Sequence, residues 1–458
     1  MKLKVEAKLD KQFAPLSLVI REMKEATKDN GQDIVIGIER DENFVSTYKT
    51  RIYPDGTGHD AENFKFVERI VKSMAWIVGG YKVIIAGSPV VGEQIKEAFS
   101  KTGSRAFDVG MMERVFEKDI VVELRSIENA PENKSAAAPV GRHLDGCRIG
   151  FDAGGSDRKV SAVINGESVY SEEVVWFPKT ESNPEYHYQG ILDAMKTAAS
   201  HMPRVDAIGV SSAGVYVNNR IMVASLFLKV SDEDFDKKVK NMYIDVAREI
   251  GENIPLEVAN DGDVTALAGA MDLGDNAVLG VAMGTSEAGG YVDPDGNLTG
   301  WLNELAFIPV DYCENAMVDE WSGDYGCGVK YFSQDAVIKL APAAGIALDE
   351  SLSPAEKLKV VQGLMKEGDK RAADIYDTIG AYFGYAIAYY SEFYDIRHVL
   401  IMGRVTSGEG GVIILERAQE VLNKEFPELA EKITLHIPDE KSRRVGQSVA
   451  AASLPKIN

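Results

Sequence analysis

The chain has 458 residues, 45% of them hydrophobic and 26% charged, which is enough apolar material for two or three hydrophobic cores. Seventy-one acids against 50 bases give a net charge of −21, which argues against a nucleic-acid or anionic-membrane partner. Cys147, Cys313 and Cys327 are too few and too scattered for a disulfide framework. No N-terminal apolar core suggests secretion, and no run approaches the ~20 residues of a membrane span, so a cytoplasmic protein is expected.

Phe13 to Ala26 is one amphipathic stretch without a second recognition helix beside it. Asp33 to Ile38 and Asn43 to Tyr53 read as strands, and the run from Val83 to Glu93 places a strand, a glycine and a helix start in succession. Val399 to Glu409 repeats that pattern, again between helix-like segments. Two readings of residues 30 to 126 stay open: a degenerate half of the fold found later, or an unrelated α/β module using the same turn. Glu128 to Pro139 has no hydrophobic period and reads as an exposed linker.

Beyond it, Arg148 to Phe151 is an apolar run that ends in Asp152-Ala153-Gly154-Gly155-Ser156-Asp157. A carboxylate there can hold Mg²⁺, and side-chain-free residues let backbone N–H groups approach a phosphate, although a strand followed by a Gly-Gly hairpin looks the same. Lys159 to Val163, Asn165-Gly166 and Ser168 to Trp176 form a hairpin pattern; Gln189 to Met202 and Phe235 to Ile250 carry helical spacing, with the acidic turn Asp232-Glu233-Asp234 beginning the second helix. Ala207 to Val210, Leu256 to Ala259, Ala277 to Met283 and His398 to Met402 alternate with helices as strands, and Gly289 to Val292 leads into the turn Asp293-Pro294-Asp295-Gly296. Asn260-Asp261 and Gly284-Thr285-Ser286 sit at two further strand ends. Tyr382, Phe383, Tyr389 and Tyr390 lie at helical spacing and are expected in the core.

In order and spacing these segments resemble the ROK family of sugar kinases and sugar-responsive regulators, within the actin-like and hexokinase-like ATPase superfamily, over residues 146 to 455. Phe151 to Ser156 is similar to its first phosphate segment, Gly209 to Gly214 to its small-residue loop beside the sugar, Val258 to Ala266 to the segment carrying the catalytic Asp, and Leu279 to Ser286 with Gly289-Gly290 to its second phosphate segment. The resemblance implies an α/β protein with a two-lobed actin-like ATPase (ribonuclease H-like) core plus an extra N-terminal α/β domain: 1–127 the N-terminal domain, 128–145 the linker, 146–265 the first lobe and 266–458 the second.

The resemblance also implies ATP- and Mg²⁺-dependent phosphorylation of a sugar or polyol hydroxyl, by a monomer or homodimer. Asp261 would be the base and Asp152 the water-mediated Mg²⁺ ligand. Gly154, Gly155, Ser156, Gly284, Thr285, Ser286, Gly403 and Arg404 would hold the nucleotide, and Ser212, Asn260 and Glu304 the acceptor. Asn260-Asp261-Gly262-Asp263 equally suits a helix N-cap, with Asp263 as cap and Asp261 free. Departures from the family pattern leave a non-catalytic sugar- or nucleotide-binding sensor or regulator as the alternative. Phe307 stands in the place of a sugar-contacting His, Val329 in that of a sugar-binding Glu, and Arg404 where consecutive glycines underlie the adenosine. Only Cys327 remains of the zinc segment's last cysteines, so no zinc is expected.

Overall fold

The structure, a computed structural model, describes residues 2–134, 140–438 and 440–457, apart from the side chains of 440–445. By its contacts the chain divides into two compact units: Met1–Ala136, Val281–Gly289 and Trp301–Ile437 form one; Ala137–Gly280, Gly290–Gly300 and Pro438–Asn458 form the other. They are called here the first and second unit. No helix of the described residues is long and apolar enough to cross a membrane.

The second unit is built on a five-stranded sheet in the order Leu256–Asn260, Ala207–Ser212, Cys147–Ala153, Asp157–Ile164, Glu167–Val175. The last three form an antiparallel meander and the first three run parallel. Asn165 and Gly166, at φ 50° and 85°, supply the left-handed turn that matches the twist of the predicted hairpin. The predicted helix appears as Pro184–Ser200, and its stripe Ile191, Met195 and Ala198 is fully buried on the sheet. On the other face Gly150 and Gly209 lie side by side in register, where a Cβ would come within 2.0 Å of the Ser448 carbonyl and 1.7 Å of the Ala451 carbonyl. The glycine pair therefore makes the seat for the C-terminal helix Glu440–Ala452.

The helix expected over Phe235 to Ile250 is broken. Ser231 caps a turn at Asp232–Asp234, as the acidic start suggested, but Phe235–Val239 is a π turn and α-helix resumes only at Met242–Ile250. The physical reason is the Lys240 carbonyl, which accepts from the Ile221 N–H on the neighbouring strand Arg220–Val223.

The first unit contains a sheet in the order Phe44–Ile52, Gln32–Arg40, Lys82–Ala86, Val121–Arg125. Gln32–Arg40 pairs antiparallel with both neighbours, whereas Cys147–Ala153 runs parallel to Ala207–Ser212. The central pairings of the two sheets thus run in different senses. The local repeat is still physical: Gly87 (φ 107°) and Gly403 (φ 100°) each turn the chain where a Cβ would strike a backbone carbonyl, of Asp33 and of Met283. The start of the expected linker is not free, because Lys134 exchanges two backbone hydrogen bonds of 2.8 Å with Val45 on the edge strand, and Pro131 packs over Gly37. Residues 135–139 of that linker lie outside the described residues.

A second sheet has the order Glu287–Val292, Val278–Met283, His398–Met402, Thr434–His436, and the chain passes between the units within its first two strands. The expected hairpin after Val292 is reduced to one bridge, Val292 to Leu298, closed by the Asp293–Gly296 turn. The helix Lys370–Tyr390 runs through the first unit with Tyr382, Phe383, Tyr389 and Tyr390 buried as expected, and the amphipathic N-terminal helix, Leu16–Ala26, packs on it. Every residue of Asp60–Ile77 from Phe66 onward is buried, including Glu68, Arg69 and Lys72.

Candidate active site

The second unit contains the predicted base Asp261, the predicted metal ligand Asp152 and the predicted first phosphate segment. Asp152, next to last in its strand, is 7% exposed, and its Oδ1 accepts the Ser211 hydroxyl at 3.0 Å. Burial pushes its carboxyl up to about 6; Lys159, whose Nζ is 3.9 Å from Oδ2, opposes the rise and the charge of Asp261 adds to it. Asp261 opens the helix Asp261–Leu273. Burial raises its carboxyl above the usual range, against the pull of the Gly262 N–H, which donates to Oδ1 at 3.0 Å, and of the Lys179 ammonium.

Asn260, not Asp263, is the cap of that helix: its Oδ1 accepts from the Gly262 N–H at 2.7 Å, while its amide donates to the Gly214 carbonyl at 2.7 Å. Asp263 is instead claimed by the Tyr291 N–H at 3.0 Å. Ser212 is fully buried and accepts from the Tyr243 hydroxyl at 3.0 Å. Ser156, exposed in the loop, donates to Asp157, and the Gly154 carbonyl accepts from the Trp176 indole at 2.7 Å.

Lys179 is the residue that motif reading misses. A Cβ at Gly155 would lie 2.7 Å from its Cε and 3.0 Å from its Nζ, so only glycine lets the ammonium cross the phosphate segment. The contact links residues on opposite sides of the hairpin Asp157–Val175, and no local pattern marks it.

The predicted second phosphate segment and the residues expected on the adenosine side, Gly403 and Arg404, lie in the first unit. A Cβ at Gly284 would meet nothing closer than 3.7 Å, which leaves the backbone open to a ligand, and the Gln334 N–H anchors its carbonyl at 2.9 Å. Arg404, exposed after Gly403, donates from Nη2 to the Thr285 hydroxyl at 2.9 Å, and its carbonyl accepts from the Gln362 amide at 2.7 Å. Ser286 faces back on Gly284, whose N–H it accepts at 2.9 Å. Glu304 is half-buried, with its N–H donated to the Trp76 carbonyl at 3.0 Å. Phe307 is buried against Trp76, ring centroids 4.1 Å apart. Cys327 is buried beside Lys72, Nζ to Sγ 3.8 Å, and Cys313 is half-buried. Among the described residues no group of three or more His, Cys, Asp or Glu is arranged to hold a metal.

Glu287, just beyond Ser286, has a carboxyl that the sequence does not single out. It is 3% exposed, the Tyr390 hydroxyl donates to Oε1 at 3.1 Å, and Oε2 has no hydrogen-bond partner among the described residues. Burial, opposed by Tyr390, pushes it up to about 8 from 4.5. Between those values the unfolded chain has released the proton and the native protein keeps it, so native stability falls as pH rises through that window. Glu287→Gln removes the titration and gains on the unsubstituted protein between about pH 5 and pH 8, by up to ~1.4 kcal/mol per unit. Urea midpoints at the two pH values check this; parallel pH profiles contradict it.

The arrangement of the second unit, a parallel-antiparallel sheet ending in acidic and glycine residues, is that of an actin-like ATPase. A ROK hexokinase from Thermus thermophilus has this fold, with a TM-score of 0.51 at 17% identity over 67% of this chain and 97% of that chain. A ROK family transcriptional regulator, a homologue of the E. coli MLC protein, also has it, with a TM-score of 0.51 at 17% identity over 68% of this chain and 79% of that one. The chain belongs to the ROK family, whose model matches residues 148–452. No curated protein matches it in sequence.

Proposed function

We propose that the protein is an ATP- and Mg²⁺-dependent kinase that phosphorylates a hydroxyl of a sugar or sugar-like acceptor. The observation that carries this reading is the coupling of Asp152 and Asp261 in one unit: two carboxyls, both raised by burial, each within electrostatic reach of the other or of Lys179. Asp261, its carboxyl raised by burial, is suited to take the proton from the acceptor hydroxyl as the phosphoryl group arrives. Mg²⁺ supplies neutralisation of phosphate charge, and a single hard carboxylate acting through water, Asp152, fits an ion that keeps most of its waters and shares the substrate's oxygens.

Gly154 and Gly155 make room for the Asp157 carbonyl and the Lys179 side chain, and Lys179 is placed to balance charge on the transferring group. Gly284, Thr285, Ser286, Gly403 and Arg404 serve the nucleotide. Glu304 and Ser212 serve the acceptor; Asn260, held at both ends of its amide, orients the Asp261 backbone rather than reaching outward. Lys179→Met is expected to lower turnover by about 10²-fold, within the range for loss of one positioned electrostatic donor, with little change in KM for ATP. Steady-state kinetics against both substrates checks it.

A non-catalytic sensor is the second reading, favoured by the Arg404 to Thr285 hydrogen bond, which fills a phosphate-segment hydroxyl with a protein cation. Calorimetry with Mg²⁺-ATP, followed by an ADP-release screen over aldoses, amino sugars, deoxysugars and polyols, separates the two. Acceptor-dependent ADP release supports the kinase; nucleotide binding without turnover on any acceptor supports the sensor.

A further inference from the structure

The N-terminal region outside the family match ends its longest helix, Asp60–Ile77, against the segment that carries Glu304. The last carbonyls of any α-helix lack partners within it. Here the Trp76 carbonyl accepts from the Glu304 N–H at 3.0 Å and the Ile77 carbonyl from the Asn303 N–H at 2.9 Å. The helix then turns at Gly79 (φ 79°), where a Cβ would lie 2.6 Å from Cγ of Leu302, so the next residue of the same segment packs onto the turn. Directly after Glu304, the 3-10 turn Leu305–Phe307 closes with Phe307 stacked on the Trp76 ring.

Trp76 is itself fixed. It is 2% exposed, and its indole N–H donates to Asp108 Oδ1 at 2.6 Å. Asp108 belongs to a buried cluster in which Arg69, Lys72 and Arg105 meet Glu68, Asp108 and Asp324. Asp324 lies on the stretch following the Glu304 segment. The helix thus grips that part of the chain at two points, by its terminal carbonyls and by its charges.

We propose that the N-terminal region is a working part of the acceptor-binding half, and that Trp76 is a positioning residue: it fixes the Asn303-Glu304 backbone and so aims the Glu304 carboxylate. This rests on the reading of Glu304 as an acceptor contact. Phe307, 7% exposed and stacked on Trp76, locks the turn that follows Glu304.

The test uses the full chain with Trp76→Ala, Trp76→Phe and, from the other side of the stack, Phe307→Leu. Hydrogen exchange of the 301–310 segment is read without any ligand. Trp76→Ala and Phe307→Leu are expected to speed exchange at Asn303 and Glu304 by at least about fivefold, and Trp76→Phe, which keeps the stack, to restore most of the protection. With an acceptor that turns over, Trp76→Ala raises acceptor KM by about tenfold while KM for ATP stays within about twofold. Unchanged exchange in folded variants, or equal loss for both substrates, overturns the proposal. If the unsubstituted protein phosphorylates nothing, the kinase reading falls and the exchange result alone decides the positioning role. Should Trp76→Ala not fold, Phe307→Leu and Trp76→Phe decide it by the same criteria.

Discussion

Asp261→Asn lowers turnover by about 10²- to 10⁴-fold and leaves Mg²⁺-ATP affinity within about twofold. Asn keeps the size of the side chain and can still accept the Gly262 N–H, so the helix start, capped by Asn260, is preserved. What is lost is the ability to take a proton. Burial holds the Asp261 carboxyl above the usual range, while backbone N–H groups and Lys179 oppose the rise. Stopped-flow or steady-state turnover, set beside calorimetry, separates the two effects. Turnover close to that of the unsubstituted protein removes Asp261 from the role.

Asp324→Ala destabilises the protein by about 3–5 kcal/mol, because it strands three buried cations. Arg69 holds both oxygens of Asp324, at 2.9 and 3.2 Å; Lys72 lies at 2.5 Å and Arg105 at 2.7 Å. Burial alone would raise the Asp324 carboxyl, but Lys72, Arg69 and Arg105 together hold it far below the usual range. Its folded value is depressed, so its contribution is present above the unfolded value of about 4 and is lost progressively as pH falls below it. Urea unfolding of Asp324→Ala and Asp324→Asn at neutral pH checks the magnitude. A shift under ~1 kcal/mol contradicts a cluster in which each charge depends on the others.

Strand ends were the legible part of the site. Asp152, Asn260 and Gly284 could be placed because each follows a short apolar run, and strand-end acids and glycines have few ways to fold. The strands Cys147–Ala153, Ala207–Ser212, Leu256–Asn260, Val278–Met283 and His398–Met402 were legible for the same reason. Which acid capped the helix at Asn260 was not: Asn and Asp serve alike, and the deciding hydrogen bond comes from Tyr291, far along the chain. Lys179 was hidden because an exposed lysine beside a proline looks like any solvated residue until the hairpin folds it over Gly155. A helix before Val83 could be read, but not the burial of Glu68, Arg69 and Lys72 on it, since charges at helical spacing ordinarily mark a solvated face. The helix over Phe235 to Ile250 failed where a neighbouring strand claimed the Lys240 carbonyl, a tertiary contact that periodicity does not contain.

The central claim is transfer of a phosphoryl group from ATP to an alcohol, and ³¹P NMR of the full chain with Mg²⁺-ATP and each acceptor of the panel measures it most directly. The account predicts, for at least one sugar or polyol, a new phosphomonoester resonance that grows in equal amount with ADP and is absent with Asp261→Asn. ATP bound but unconsumed with every acceptor, or ADP formed only with inorganic phosphate, would contradict it.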